Sequence, residues 1–242
     1  MHDPLWRPIP GLSDADGRPL AFASEKTAKN GWAWRQIALP LRGGGAAWIS
    51  PIRGLGAAGL EDLEASVGRL ELLVAPNHFH HLGIPELLYL RPEAKVVAAA
   101  GAVPRLSRIL GPSVEPAWGL LGPRLPAGVR WVEPPGLKNG EGWVVVEGSG
   151  GTGWIVSDAF FSLERAPTGI QGMLVRALGV APGLRIGATF LWLGIADRPS
   201  YRAWLLERLD AEKPTILVTS HGQILQDPEL WQRMAEVVRA RV

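Results

Sequence analysis

The strongly apolar runs of this chain are short, are closed by Pro, Gly, Asn or charged residues, and are separated by stretches of helical spacing. That pattern reads as alternating strands and helices with no clear linker. Leu72-Leu73-Val74-Ala75, ended by Pro76-Asn77, is a buried strand feeding a loop. Just before it, Leu60, Leu63, Val67 and Leu70 recur at helical spacing, with Glu61, Asp62 and Glu64 on the outer face. Apolar residues over 32–37 and 46–50 flank a wide turn at Leu41-Arg42-Gly43-Gly44-Gly45, and Pro85 suits the first turn of a short helix over 84–90. A further strand is expected at 95–100. Segment 111–142 contains Pro112, Pro116, Pro123, Pro126, Pro134 and Pro135, and reads as irregular loops with a strand near 129–132.

Beyond it, strands over 143–147 and 154–157 precede a helix marked by Tyr201, Trp204, Leu205 and Leu209, which must stop before Pro214. Residues 215–219 form a β-branched strand, and Leu230, Met234, Val237 and Val238 mark a last helix. Residues 1–30 read as an N-terminal extension with some loss of regular order.

Composition narrows the chemistry. With 242 residues, 47% of them apolar, the chain can bury a substantial core in one or two domains. It has no Cys, which removes disulfides, thiolate nucleophiles and Cys-ligated zinc or iron–sulfur sites. Any metal must therefore be held by His, Asp, Glu or backbone oxygen. Lys and Arg number 25 against 23 Asp and Glu, scattered without a basic stripe, so no nucleic-acid partner is expected. Residues 1–7 lack the apolar core of a secretory signal, and the longest apolar stretch, 186–196, falls far short of the ~20 residues of a membrane helix. No membrane partner and a cytoplasmic location are the expectations.

Gly148-Ser149-Gly150-Gly151-Thr152-Gly153 matches the spacing of a dinucleotide-binding loop. Such a loop must open a helix whose amides hold the pyrophosphate. Here Trp154-Ile155-Val156-Ser157 follows, which is strand chemistry, so the segment is a hairpin turn. The histidines are more informative. Of five, His78, His80 and His81 fall within four residues after one strand, and His221 follows another; Asp158 stands just past a third strand end. Loops at strand ends converge on pockets, and imidazole with carboxylate suits zinc, iron or manganese. The same cluster is also compatible with histidines that only hydrogen-bond their own loop.

These pieces together resemble the metallo-β-lactamase superfamily. Its His-x-His-x-Asp-His signature after a strand aligns without a gap on Pro76-Asn77-His78-Phe79-His80-His81, followed by Leu82-Gly83. Ser157-Asp158-Ala159-Phe160-Phe161 is similar to the segment carrying the bridging carboxylate, and Thr219-Ser220-His221-Gly222 to the final His-Gly. The Pro-Asn-x-x-His-His form, with Trp48-Ile49-Ser50-Pro51 upstream, resembles a divergent, poorly characterised branch. The resemblance implies a four-layer α/β/β/α sandwich over 31–242 with the site at the sheet edges.

It also implies that one of the family's two metal sites is missing here, because Pro76 and Leu137 stand where histidines belong. The other site maps onto His80, His81, Asp158 and His221, implying one divalent metal, zinc before iron or manganese. His78 is then a candidate general acid or base and Asp158 a candidate to orient water. The implied function is a metal-dependent hydrolase acting on a small-molecule ester, lactone, amide or phosphoester. The alternative is a non-enzymatic ligand- or partner-binding domain that has lost its active site. A lid setting specificity is expected within 165–196.

Overall fold

The structure is a computed structural model that describes residues 5–27, 33–111, 113–164, 173 and 182–242. Two sheets stack face to face, and helices cover the outer face of each. The first sheet has seven strands in chain order: β1 (Arg7–Pro8), β2 (Phe22–Thr27), β3 (Ala33–Pro40), β4 (Ala46–Ile49), β5 (Leu70–Ala75), β6 (Lys95–Ala98) and β7 (Glu115–Pro116). It is antiparallel from β1 to β4 and parallel from β4 to β7. The second sheet comprises β8 (Val129–Val132), β9 (Trp143–Gly148), β10 (Gly151–Val156), β13 (Ile216–Thr219) and β14 (Leu225–Gln226), ordered β14-β13-β10-β9-β8. A separate ribbon pairs β11 (Phe161–Leu163) with β12 (Gly183–Arg185).

Alternation along the strands builds the layers. In β5, Leu72 and Val74 point between the sheets toward Val144, Val146, Ile155 and Val218. Their neighbours Leu73 and Ala75 point outward to a second cluster. That cluster includes Leu60 and Leu63 of α1 (Gly56–Ser66), Ile84 and Leu87 of α2 (Ile84–Leu90), and Leu106 of α3 (Val103–Leu110). On the far side, Trp143, Val145, Trp154 and Leu217 meet a third cluster, formed by α5 (Arg198–Glu212) and α6 (Leu230–Arg241). A strand buried on both faces needs a continuous apolar run, which is how these strands read in sequence. The expected four-layer α/β/β/α sandwich is the observed architecture.

Residues 5–27, which the sequence set apart as part of an extension, supply β1 and β2. Trp6 is buried edge-to-face on Trp48, with ring centroids 4.9 Å apart, and its indole N–H donates to the Gly59 carbonyl. The helical spacing that ran through Leu70 stops earlier, because α1 ends at Ser66 and Gly68, at φ 145°, turns the chain into β5. The Pro-rich middle segment holds more regular structure than expected, including β7, α4 (Ala117–Leu120) and a short 3-10 turn at Gly122–Arg124. The glycine loop is the expected hairpin turn between β9 and β10, with Gly148 opposite Gly151. Of the expected lid, 165–172 and 174–181 lie outside the described residues. Among the described residues, no helix is long and apolar enough to cross a membrane.

Candidate metal centre

Parallel register brings the site together. Val156 of β10 pairs with Thr219 of β13, so Asp158 and His221 each stand two residues past a matched pair at the same sheet edge. In the other sheet Ile49 pairs with Val74, placing Ser50 and the loop 76–83 at the corresponding edge. Across the gap between the sheets, His80 Nε2 lies 3.1 Å and His221 Nε2 3.5 Å from the same oxygen, Asp158 Oδ1. Ligand atoms of His80, Asp158 and His221 all lie within 4.8 Å of one another. Two imidazole nitrogens and a carboxylate oxygen facing one point are a donor set for a divalent transition metal.

The surrounding bonds fix these three side chains. His80 Nδ1 is 3.0 Å from Ser50 Oγ, so a proton on Nδ1 leaves Nε2 aimed at the centre. Ser50 is buried and sits at φ 55°, a left-handed conformation that costs a non-glycine residue roughly 1–2 kcal/mol and marks functional positions. Asn77 is fully buried. Its Oδ1 accepts from the backbone N–H groups of Phe79 and His80, shaping the loop, while its Nδ2 donates to Asp158 Oδ2 at 2.8 Å. Asp158 thus spends one oxygen on Asn77 and keeps the other for the two histidines.

Beneath the centre, buried Glu141 accepts from the backbone N–H groups of Ser157, Asp158 and Ala159, from the Trp143 indole and from Asn77 Nδ2. The His221 turn is clamped from the other sheet by Arg35, whose guanidinium donates to the Thr219 and Gly222 carbonyls, each at 2.6 Å, and pairs with Glu25. Gly222 has φ 103°, and a Cβ there would lie 1.9 Å from the Ser162 carbonyl oxygen, so only glycine makes this turn.

Three of the four expected ligands therefore meet, and His81 lies outside the group. Its Nδ1 is buried without a hydrogen-bond partner, and burial pushes its pKa down. The turn responsible is tight: Gly83 N–H donates to the Pro51 carbonyl, and a Cβ on Gly83 would lie 2.7 Å from that oxygen. His78 also faces away from the cavity, with Nε2 3.3 Å from the Gly101 carbonyl oxygen and its pKa lowered by burial. Pro76 and Leu137 are occupied elsewhere. The Pro76 carbonyl accepts from Gly142, and Leu137 packs in the outer core and bridges to Ile195.

Glu141, Asn77, Ser50 and Arg35 were not identified from sequence. Only Asn77, beside the histidine cluster, and Ser50, in the quoted Trp48-Ile49-Ser50-Pro51, carried any signal there.

Burial opposes the charged form of His80, but the adjacent Asp158 carboxylate and Glu141 outweigh it and raise its pKa. Burial likewise opposes the Asp158 charge, and His80 and His221 override it, holding that carboxyl well below the usual range. For Glu141, burial and then the Asp158 charge push the pKa up against its hydrogen bonds. A raised His80 stabilises the fold below its unfolded pKa and loses that effect as pH rises through the folded value. A depressed Asp158 stabilises it above its unfolded pKa and loses that effect on acidification. In chelator, the melting-temperature gap between wild type and Asp158→Asn should therefore peak between about pH 4 and 6.5 and shrink on either side. A gap that is flat from pH 4 to 8 would contradict the His80–Asp158 ion pair.

The centre opens into a cavity of about 580 Å3, within the usual range for small-molecule sites. His80, Asp158 and His221 line it beside Phe160, Phe161 and Phe190.

No protein-family model matches the sequence, and no curated protein does. Solved structures do match. The DIM-1 metallo-β-lactamase superposes with a TM-score of 0.62 at 12% identity, covering 99% of both chains. A metallo-β-lactamase from Pontibacter korlensis gives 0.58 at 16% identity, covering 91% of this chain and 94% of that one. The mono-zinc form of the metallo-β-lactamase FIM-1 from Pseudomonas aeruginosa gives 0.54 at 12% identity over 91% and 90%.

Proposed function

For a chain that carries the metallo-β-lactamase fold, we propose a metal-dependent hydrolase with a mononuclear centre at His80, Asp158 and His221. The observation that carries this reading is the donor set itself, two imidazoles and one carboxylate within 4.8 Å, opening on an apolar cavity. Zinc, iron and manganese all accept such donors, and the mono-zinc neighbour favours zinc. A bound divalent cation lowers the pKa of a water toward ~7 and polarises a carbonyl or phosphoryl oxygen. Three protein donors suit catalysis, because a fourth from His81 would close a tetrahedral shell.

The chain's own residues prepare the site for hydrolysis of an ester, lactone, amide or phosphoester. Ser50 orients His80, and Asn77 with Glu141 holds Asp158 so that Oδ1 faces both imidazoles. Phe160, Phe161 and Phe190 line the same cavity and offer an apolar surface to the substrate.

The test is elemental analysis of protein purified without chelator, followed by a panel of chromogenic esters, lactones and phosphoesters. About one metal per chain, with turnover abolished by chelator and restored by the same metal, is the expected outcome. No metal after reconstitution would overturn the reading. Metal without turnover would favour the second reading, a binding domain, which rests on the absence of donors at Pro76 and Leu137.

A further inference from the structure

The lining of the cavity combines apolar and cationic side chains in a way that bears on its substrate, an inference that rests on the hydrolase reading above. Phe160, Phe161 and Phe190 are all buried in the lining. Leu193, 59% exposed, adds to the apolar lining. The lining also carries two exposed cations, Lys26 from β2, paired in register with Trp34 of β3, and Arg53 from the turn after β4.

Neither cation is neutralised. Lys26 Nζ donates to the Arg53 carbonyl at 2.9 Å, and Arg53 Nε donates to the Leu82 carbonyl at 3.1 Å. Among the described residues no carboxylate lies within ion-pair distance of either, whereas Arg35, Arg69, Arg91, Arg124 and Arg233 all have one. Two exposed positive charges without a carboxylate partner, set beside a largely apolar cavity, raise the local concentration of anions there. Asp158, the acidic group of the lining, is already committed to His80, His221 and Asn77.

We propose that the substrate is an anionic amphiphile. Its apolar acyl body packs on the phenylalanines of the lining, its negatively charged group is held by Lys26 and Arg53, and its scissile bond reaches the His80–Asp158–His221 centre of the same cavity. Hydrolysis adds water across the acyl C–O bond. The acyl carbon takes the hydroxyl, and the departing oxygen takes the proton, so an acid and an anion-bearing alcohol leave.

The test is a titration of the metal-stripped protein with decanoate and with 1-decanol, followed by tryptophan fluorescence. The same titrations are run on Lys26→Met/Arg53→Met, with folding checked by thermal melting. Decanoate should bind about tenfold more tightly than decanol, and the double variant should erase that preference without weakening decanol. Equal binding of the two ligands, a preference that survives the double substitution, or no binding of either would overturn the proposal. Because no metal is present, this result is independent of the metal analysis. Failure of the substrate class leaves metal stoichiometry standing, and absence of metal leaves the titration readable.

Discussion

Replacing His80 and His221 together by Ala will reduce bound metal from about one per chain to background, while His81→Ala will retain it. The first two residues supply both imidazole nitrogens of the centre, and their removal leaves Asp158 as its one remaining donor. A single carboxylate does not hold a transition metal against water. Asp158→Asn keeps the shape but removes the charge and should raise the metal dissociation constant by more than ~100-fold, the upper end of what loss of a supporting residue costs. His81 is the informative control, since the sequence aligns it with a ligand and the structure turns it away from the group. Elemental analysis and competition with a metal-responsive dye would settle the comparison. Loss of metal in folded His81→Ala would restore the four-residue shell and reject the three-residue one.

The second large effect is on stability. Glu141→Ala should destabilise the protein by about 3–5 kcal/mol, read by urea unfolding, because it strips a buried acceptor from donors that have no access to water. Those donors are the backbone N–H groups of Ser157, Asp158 and Ala159, the Trp143 indole and Asn77 Nδ2. The same loss frees the backbone that aims Asp158, so metal affinity should fall by roughly 10–100-fold even in the folded fraction. Glu141→Gln keeps one acceptor oxygen but turns an amide N–H toward other N–H groups, and should cost less than the alanine variant. A Glu141→Ala protein as stable as wild type would show that this hydrogen-bond cluster contributes nothing.

Much of the site was legible because its residues follow strands that declare themselves. The runs at β5, β10 and β13 are apolar and bounded, so polar residues just beyond them, His80, Asp158 and His221, had to reach a sheet edge. The distinction between His80 and His81 was not legible. Adjacent residues in a loop point in directions set by backbone dihedrals, and here Asn77 and the contact of Gly83 with Pro51 choose them. Glu141 lay in a Gly- and Pro-rich segment without periodicity, where one carboxylate looks like any solvated loop residue. Arg35 was one basic residue among 25 on both counts of Lys and Arg, and nothing in its neighbours marks it as buried.

The sequence by itself determined the alternation of strands and helices, the strand ends that carry the chemistry and the absence of thiol ligands. These follow from local apolar spacing and composition, which neighbouring residues decide among themselves. Only the tertiary structure decided which histidines face the centre, which acid is buried beneath Asp158, and which cations line the cavity. Those choices depend on pairing between segments far apart in the chain, such as Arg35 with Thr219 and Asn77 with Asp158. Burial and hydrogen-bond satisfaction arise there from contacts that no local pattern contains.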